Sequence, residues 1–248
     1  MELLLLGTGT SIPHPERNSP GCCVEAGGSR ILVDLGSGGL TRLAEAGISY
    51  LDIDYLFLTH FHPDHTGDLV PLIFASRNPF HPREKRLTLS GPRGLKDFYR
   101  GLLGVYGEFV EPRGYDLKIV ELEGPFEASG FRITSHRVPH TASSLAYRIF
   151  SGGKSIVVSG DTGYSEEFVE FSSGTDLLLC ECSFRDDMDI PGHLTPRTAA
   201  RIGEEAGAAR LVLTHFYPVF EGIDIEAECR KHYRGELTVG RDLMRIVV

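Results

Sequence analysis

The chain has 248 residues, which is enough for one large α/β domain or two small ones and ample to bury a hydrophobic core. Its 41% hydrophobic and 24% charged residues are ordinary for a globular protein, and no apolar run approaches the roughly 20 residues that span a bilayer. The net charge of −9 argues against broad, sequence-independent binding to nucleic acids, so we expect neither a DNA partner nor a membrane partner.

The first apolar run and the cysteines point to one compartment. Residues 3–6 form an apolar run with no basic segment before it, which is typical of a strand rather than of a secretory signal. The five cysteines are odd in number and two of them are adjacent, so they predict buried reduced thiols rather than a disulfide framework. We therefore expect a cytoplasmic protein.

Short apolar runs bounded by Gly, Pro and Asp alternate along the chain with segments of helical spacing. The runs predict strands at 3–6, 22–25, 30–34, 55–59, 87–90, 118–121, 131–138, 145–150, 155–159, 177–181 and 210–214. Helices are predicted at 40–46, 68–76, 92–103, 165–171, 195–206 and 221–233. Because no low-complexity linker divides the chain, we expect a single domain over 1–248, an α/β four-layer αββα sandwich of two packed mixed sheets flanked by helices.

Metal-capable side chains follow the ends of four predicted strands. His60 comes after the strand that ends at Thr59, and His140, Asp161 and His215 each follow another strand. Active sites in α/β folds favour the loops at strand ends, so we expect these four side chains to converge.

The densest polar segment is His60-Phe61-His62-Pro63-Asp64-His65, in which four of six side chains are of the ligand type. Imidazole and carboxylate together suit zinc, and also manganese or iron. An extended segment can point His60 and His62 the same way, while Asp64 and His65 face a second ion. The segment therefore predicts a metal site rather than a polar loop with incidental histidines.

These motifs resemble the metallo-β-lactamase superfamily, whose signature His-x-His-x-Asp-His stands here at 60–65. The later ligand motifs of the family have counterparts around His140, Asp161 and His215. Asp34, at the end of the third predicted strand, matches an early aspartate of the family that braces the ligand loop. The resemblance spans nearly the whole chain and implies the metallo-β-lactamase fold.

The resemblance also implies how two divalent ions would be shared. One ion would take His60, His62 and His140, the other would take Asp64, His65 and His215, and Asp161 would bridge them. His136, four residues before His140, is a rival for that position but lies inside a predicted strand. We expect both ions to be zinc, with manganese or iron as alternatives.

The charges of such a centre predict its substrate. Two divalent ions carry four positive charges, Asp64 and Asp161 contribute two negative charges, and a bridging hydroxide leaves roughly one positive charge, so an anionic substrate is attracted. The hydroxide, formed near neutral pH, would be the nucleophile, and Asp64 would orient it while binding metal. We therefore expect Asp64 to be catalytic as well as a ligand.

The likeness narrows to the ribonuclease Z-like branch at His193, which lies in a Gly-His-x-Thr-like context, and at Glu181 in an upstream strand. We expect His193 to be the general acid that protonates the leaving oxygen, with Glu181 orienting it or raising its pKa. The alternatives are a helix-capping role for His193 and a structural salt bridge for Glu181. The loop from Pro13 to Asn18 also resembles the branch's Pro-x-Lys-x-Arg-Asn loop, with Pro15 in place of the lysine.

One departure from the branch concerns size. Its tRNA 3′-endonucleases insert a basic, Gly-rich arm between the motifs of His140 and Asp161, and here only residues 141–160 lie between them. A separate feature of the sequence is a local excess of Lys and Arg, which could face an anionic substrate or form a solvated surface. It comprises Arg77, Arg83, Lys85, Arg86, Arg93, Lys96 and Arg100.

Three functions therefore compete. The leading one is a two-metal phosphodiesterase acting on a small, cyclic or RNA-terminal phosphodiester, so the partner would be a small molecule or short RNA. The second is a tRNA 3′-processing endonuclease without the arm, and the third is a carboxyl-, thiol- or sulfate-ester hydrolase of the same superfamily. The resemblance also implies a homodimer, because dimers are common among the members of this family.

Overall fold

The computed structural model describes residues 1–128, 130–188, 190–220 and 222–248, whose strands form two seven-stranded sheets. In spatial order the first sheet contains β14 (Arg245–Val247), β1 (Glu2–Gly7), β2 (Gly21–Ala26), β3 (Ser29–Val33), β4 (Tyr55–Phe57), β5 (Leu87–Gly91) and β6 (Leu117–Glu121). The second contains β13 (Glu236–Val239), β12 (Arg210–Thr214), β11 (Leu177–Glu181), β10 (Lys154–Val158), β9 (Leu145–Ser151), β8 (Phe131–Arg137) and β7 (Phe126–Ala128).

Helices cover the outer face of each sheet. They are α1 (Gly39–Glu45), α2 (Pro63–Thr66), α3 (Leu69–Ala75), α4 (Leu95–Tyr106), α5 (Glu166–Phe171), α6 (Pro196–Glu205) and α7 (Ile225–Arg230), with short 3₁₀ turns at Tyr50–Asp52 and Gly107–Val110. Side chains of α1, α3 and α4 share a core with the first sheet, and those of α5, α6 and α7 share one with the second. The predicted αββα sandwich is therefore confirmed.

The first strand shows why its apolar run is continuous. Leu3 and Leu5 belong to the core between the two sheets, whereas Leu4 and Leu6 belong to the core beneath the helices of the first sheet. Successive side chains of a strand point to opposite faces, so a strand covered on both sides is apolar at every position. All four leucines are at most 1% exposed.

Parallel pairing brings the candidate site residues to one edge of the molecule. The strands β3 to β6 pair in parallel in one sheet, and β10 to β13 pair in parallel in the other. Their carboxyl ends meet where the two sheets touch, and the Leu145 N–H donates there to the Thr59 carbonyl oxygen at 2.9 Å. The loops after β4, β8, β10 and β12 consequently face one another.

Three details differ from the sequence-based expectations. The helix predicted at 92–103 is α4, which begins at Leu95, because Gly94 takes a left-handed φ of 98° and Glu121 accepts the N–H groups of Gly94 and Lys96. The strands β7, β13 and β14 were not predicted. The last predicted helix, 221–233, is the shorter α7, and residue 221 lies outside the described residues.

The basic segment fits the solvated-surface alternative better than a face for an anionic substrate. Arg83 is 1% exposed, and its guanidinium donates to the carbonyl oxygens of Ile53 and Tyr50. Lys85, Arg86 and Arg100 pair with Asp54, Asp116 and Asp97. The side chains of Lys85, Arg86 and Arg100 are 50–73% exposed, as expected of a solvated surface whose charges are partly neutralised. Across the described ranges, no helix is long and apolar enough to cross a membrane.

Gly36 sets the close approach between the β3–α1 loop and the His60–His65 loop. A Cβ at this position would lie 2.0 Å from the Asp64 carbonyl oxygen and 2.6 Å from the Ser19 Cβ. We expect Gly36→Ala to displace one of the loops and to lower the free energy of unfolding by about 1–3 kcal/mol, the usual cost of overpacking, as measured by urea denaturation.

Gly101→Ala is the matched control, because Gly101 lies within α4 and its added Cβ would meet no atom within 4 Å. Alanine should stabilise that helix position by roughly 0.8–1.0 kcal/mol. If both variants were equally stable, the loop contact at Gly36 would not constrain the site.

Candidate metal centre

The His60–His65 loop combines an extended stretch with a single helical turn. His62 has φ −62° and ψ 146° and precedes α2, whose first residue is Pro63. Proline suits this position because its fixed φ matches the first turn of a helix and the missing N–H would have no helical partner. Asp64 and His65 then project from the turn beside His60, whose ring centroid lies 4.1 Å from that of His65.

The second sheet supplies the remaining side chains of the cluster: His140 after β8, Asp161 after β10 and His215 after β12. Two site residues have a left-handed backbone, namely Asp34 with φ 57° and His215 with φ 61°. Such a conformation costs a non-glycine residue about 1–3 kcal/mol and is concentrated at functional sites. Both side chains reach the cluster, since Asp34 Oδ2 bonds His65 Nδ1 and His215 Nε2 lies 3.3 Å from Asp161 Oδ1.

Asp161 lies between two groups of donor atoms. Its Oδ2 is 3.8 Å from His60 Nε2 and 3.6 Å from His140 Nε2. Its Oδ1 is 3.2 Å from His65 Nε2 and 3.3 Å from His215 Nε2. One carboxylate therefore faces both groups, each with a different oxygen.

Donor atoms within 4.8 Å of one another form two principal sets. They are His60, His62, His140 and Asp161 in one set, and Asp64, His65 and His215 in the other. His215 Nε2 lies 3.7 Å from Asp64 Oδ2, which closes the second set. All seven side chains expected at a two-metal centre are thus brought together.

The chemistry of the donors fits divalent cations. Among the described residues, the buried Nε2 atoms of His60, His65 and His215 and the Oδ1 atom of Asp161 have no hydrogen-bond partner. A buried polar atom without a partner costs about 1–3 kcal/mol, and here four of them point at one another. Two cations, one in each donor set, would satisfy all four, because imidazole nitrogen and carboxylate oxygen are both metal donors.

The pKa shifts of His60 and Asp161 suit the same cations. At His65, burial lowers the pKa but is outweighed by the charges of Asp161 and Asp34, which raise the pKa well above its usual value, so metal binding there would release a proton. Burial, together with the neighbouring His65, lowers the pKa of His60 to about 2, so its ring is neutral. Burial alone would raise the pKa of Asp161, but His215 and His65 outweigh it and hold that pKa well below the usual range. Neutral imidazole and ionised carboxylate are the forms that bind metal.

Asp34 lies behind the first sheet's ligands. Its Oδ2 accepts from His65 Nδ1 and from the Thr59 hydroxyl, both at 2.7 Å, and its Oδ1 accepts from the Thr59 N–H at 2.7 Å. The Thr59 hydroxyl also lies 2.9 Å from His60 Nδ1. Asp34 therefore contacts one histidine directly and a second through Thr59.

His193 and Glu181 form a pair beside the cluster. His193 Nδ1 lies 3.0 Å from Glu181 Oε1, and Glu181 is 1% exposed. Burial lowers the pKa of His193, but the hydrogen bond with Glu181 and its charge outweigh this effect and raise the pKa. The ring centroid of His193 is 4.8 Å from that of His140. His193 also forms a third donor set with Asp161 and His215.

The remaining candidates lie elsewhere. His136 is inside β8, stacked on Phe171 with ring centroids 5.3 Å apart, and it belongs to none of the donor sets found among the described residues. Arg17 of the N-terminal loop donates to Thr8 Oγ1 and to the Gly240 carbonyl oxygen, and its guanidinium lies 4.5 Å from the centre of the Phe216 ring. Arg17 thus ties the loop to the segment beside His215.

Sequence reasoning missed the hydroxyls of Thr59 and Ser183 and the aromatic pair of Phe184 and Tyr217. Ser183 Oγ lies 2.9 Å from His215 Nδ1. Phe184 and Tyr217 are stacked with ring centroids 4.6 Å apart, and Phe184 contacts the edge of His193. Thr59 directly precedes His60, Ser183 and Tyr217 lie two residues after Glu181 and His215, and Phe184 follows Ser183, so proximity in sequence was the available signal.

Comparisons with known proteins agree with this geometry. The profile of a beta-lactamase superfamily domain matches residues 29–216. The chain is 30% identical to a protein named ribonuclease Z from Mycobacterium bovis, over 100% of this chain and 98% of that relative. The crystal structure of the metallo-beta-lactamase fold protein YhfI from Bacillus subtilis superposes with a TM-score of 0.85 at 27% identity, covering 99% of this chain and 98% of that one. Human short-form tRNase Z gives 0.79 at 26% identity, covering 100% and 99%.

We expect Asp161→Ala to remove metal and hydrolytic activity together, because the substitution deletes the carboxylate that faces both donor sets. The measurement is elemental analysis of purified protein alongside turnover of a chromogenic substrate. Asp116→Ala is the control, since Asp116 is an exposed aspartate paired with Arg86 away from the cluster. Full metal content in Asp161→Ala would show that this carboxylate is not a ligand.

Proposed function

The chain belongs to the beta-lactamase superfamily and, within it, to the ribonuclease Z-like metal-dependent hydrolases, and from this premise we propose that it cleaves a small, cyclic or RNA-terminal phosphodiester. The observation that carries the proposal is the placement of the His193–Glu181 pair next to a carboxylate shared by two donor sets. Such a site combines a proton donor for a leaving oxygen with room for two cations.

The proposed ligands are the two donor sets. His60, His62 and His140 would hold one ion, Asp64, His65 and His215 would hold the other, and Asp161 would contact both. Zinc suits these nitrogen and oxygen donors, with manganese and iron as alternatives. When bound, the ions supply Lewis acidity toward phosphoryl oxygens and bring the pKa of water toward about 7.

Charge favours an anionic substrate at this site. Two divalent cations carry four positive charges, and Asp64 and Asp161 contribute two negative charges. Bound cations dominate the potential of such a pocket, although the whole chain carries a net charge of −9. His62 is exposed and Asp64 and His140 are half-buried, so the phosphodiester would enter on their side.

Two residues of the chain would act on the water and on the leaving group. Asp64, at the half-buried mouth, would accept a hydrogen bond from the attacking water and orient it. His193 would donate the proton on its Nε2 to the leaving oxygen as the phosphorus–oxygen bond breaks, while its Nδ1–H stays bonded to Glu181. The proton that the attacking water loses would pass to solvent, from which His193 would regain its own. The products would be a phosphomonoester and an alcohol, or, from a cyclic substrate, one phosphomonoester that carries the freed hydroxyl.

The second candidate is tRNA 3′-end processing, which the names of the ribonuclease Z and tRNase Z relatives favour. Residues 141–160 bear on it, because β9 and β10 occupy most of this stretch and are joined by the tight turn Gly152-Gly153. An arm that grips folded tRNA has no counterpart in this stretch, all of which is described. The geometry therefore favours the smaller substrate.

Further properties accompany the proposal. We propose one domain over 1–248, which the pairing of β1 with β14 supports, because the two ends of the chain share one sheet. The cytoplasmic location and the homodimer stay predictions.

We expect the metal-replete protein to hydrolyse bis(p-nitrophenyl) phosphate in a panel that also contains a thioester, an aryl ester and a precursor tRNA. The two cations are suited to the charge that develops on a five-coordinate phosphorus. Metal content is quantified before the assay. Cleavage of the precursor tRNA would favour the second candidate. Turnover of only the thioester or the aryl ester would identify an ester hydrolase and contradict the proposal.

We expect His193→Ala to retain its metal and to lose roughly 10²–10⁴-fold in kcat, the usual contribution of a general acid. The loss should be larger for an alkyl leaving group than for p-nitrophenolate, because only the poorer leaving group needs a proton. His232→Ala is the control, since His232 is an exposed histidine outside the donor sets. Loss of metal from His193→Ala would make His193 a ligand instead.

A further inference from the structure

We propose that Ser183 is a positioning residue for the metal centre. Its hydroxyl connects the buried carboxylate of Glu181 to His215 and fixes the tautomer in which Nε2 of His215 is free to bind a cation. This inference rests on the ligand set of the proposed function but not on the identity of the substrate.

The contacts of Ser183 lie entirely inside the protein. Ser183 is 0% exposed, Glu181 is 1% exposed and His215 is 2% exposed. The Ser183 Oγ lies 2.5 Å from Glu181 Oε2 and 2.9 Å from His215 Nδ1. A serine hydroxyl has a single proton, so only one of these contacts can use it as a donor.

The surroundings of Glu181 decide the direction of both bonds. Its carboxylate also accepts the N–H groups of Thr162 at 2.7 Å and Leu194 at 3.1 Å, and it faces His193 Nδ1. An ionised carboxylate only accepts, so the Ser183 O–H donates to Glu181. The oxygen of Ser183 must then accept from His215, which places the histidine proton on Nδ1.

The tautomer leaves the opposite ring nitrogen of His215 as a lone-pair donor. That Nε2 atom is buried without a hydrogen-bond partner among the described residues and lies 3.3 Å from Asp161 Oδ1. If the proton were on Nε2 instead, the ring could not bind a cation. Hydrogen bonding at one nitrogen is the usual means by which a protein selects the other for metal.

The first sheet contains the same chemistry with a different sequence arrangement. The Thr59 hydroxyl donates to Asp34 Oδ2 and accepts from His60 Nδ1, which leaves His60 Nε2 buried with no hydrogen-bond partner within the described ranges. In the first sheet the hydroxyl immediately precedes its histidine in the sequence. In the second sheet, Ser183 follows β11 whereas His215 follows the neighbouring strand β12. The recurrence of carboxylate, hydroxyl and imidazole in both sheets argues that the arrangement serves the histidines.

Glu181 therefore has two roles, orienting His193 and orienting His215, and only the second depends on Ser183. It bonds His193 directly and His215 through the hydroxyl. Loss of the Ser183 hydroxyl should weaken metal binding and leave the His193–Glu181 contact in place. The substitution should thus change metal affinity without the leaving-group dependence expected for loss of His193.

The test compares wild type, Ser183→Ala, Ser183→Cys and Ser183→Thr in zinc-loaded protein by competition with a chromophoric chelator. We expect Ser183→Ala to lower the affinity for one of the two zinc ions roughly 10–100-fold, the usual effect of removing a group that orients a ligand. The Cys variant should behave similarly, because a thiol is a weak donor and acceptor of similar shape. Ser183→Thr keeps the hydroxyl and should restore the affinity.

Thr59→Val is the matched variant in the first sheet, since valine preserves the shape of threonine and removes its hydroxyl. It should weaken zinc binding at the set that contains His60, and Thr59→Ser should restore it. Double substitution with Ser183→Ala should therefore weaken both ions. Equal urea denaturation midpoints of the metal-stripped Ala and Thr variants of Ser183 would exclude a general loss of structure.

A second measurement requires no substitution at Ser183. Long-range ¹⁵N–¹H spectra of zinc-loaded wild type should show a His215 Nδ1–H protected from solvent exchange, with the resonance assigned by its loss in His215→Gln. A proton on Nε2, wild-type affinity in Ser183→Ala, or failure of folded Ser183→Thr to restore binding would each overturn the proposal. If zinc binding responds as expected but no phosphodiester is cleaved, only the proposed function fails.

Discussion

The carboxylate of Asp161 is the contact on which the rest of the site depends. It follows a strand of the second sheet, yet its two oxygens lie 3.2–3.8 Å from histidines that both sheets supply. This is achieved only if the sheets pack face to face with the carboxyl ends of their parallel strands at one edge. The leucines between the sheets therefore contribute to the site as directly as its ligands, because they set the distance that Asp161 spans.

Concentrating these donors is unfavourable for the protein alone. Three buried imidazole nitrogens and one carboxylate oxygen lack hydrogen-bond partners in the part of the chain that the structure describes, and Asp34 and His215 adopt left-handed backbone conformations. Each feature costs about 1–3 kcal/mol, and such costs are tolerated where the surrounding fold is well determined. Folding thus prepares a site whose favourable interactions are completed by cations, and this is why strain and unsatisfied atoms coincide at the same strand ends.

The sequence predicted the features that local density or pattern records. The motif at 60–65 is recognisable from its density of histidine and aspartate, and apolar strands such as β1 and β11 are recognisable as continuous apolar runs. The three-residue strands β7 and β14 carry too little pattern, and the start of α4 depends on the distant carboxylate of Glu121. The role of Ser183 could not be predicted either, because it depends on a contact between residues distant in the sequence. Serine is common beside strands, and only folding brings His215 Nδ1 within 2.9 Å of its hydroxyl.

The short loops around the centre also bear on the size of the substrate. Residues 141–160 are used by two strands and a tight turn, and Arg17 is held by Thr8 and Gly240 rather than projecting outward. In the basic segment, Arg83 is buried against carbonyl oxygens, and Lys85 and Arg86 form ion pairs with aspartates. Under the proposed function, contact with a substrate would therefore be concentrated near the donor sets, His193 and the Phe184–Tyr217 pair. A site so arranged gains its affinity from the phosphodiester and its immediate substituents, which fits a small or terminal substrate better than a large folded one.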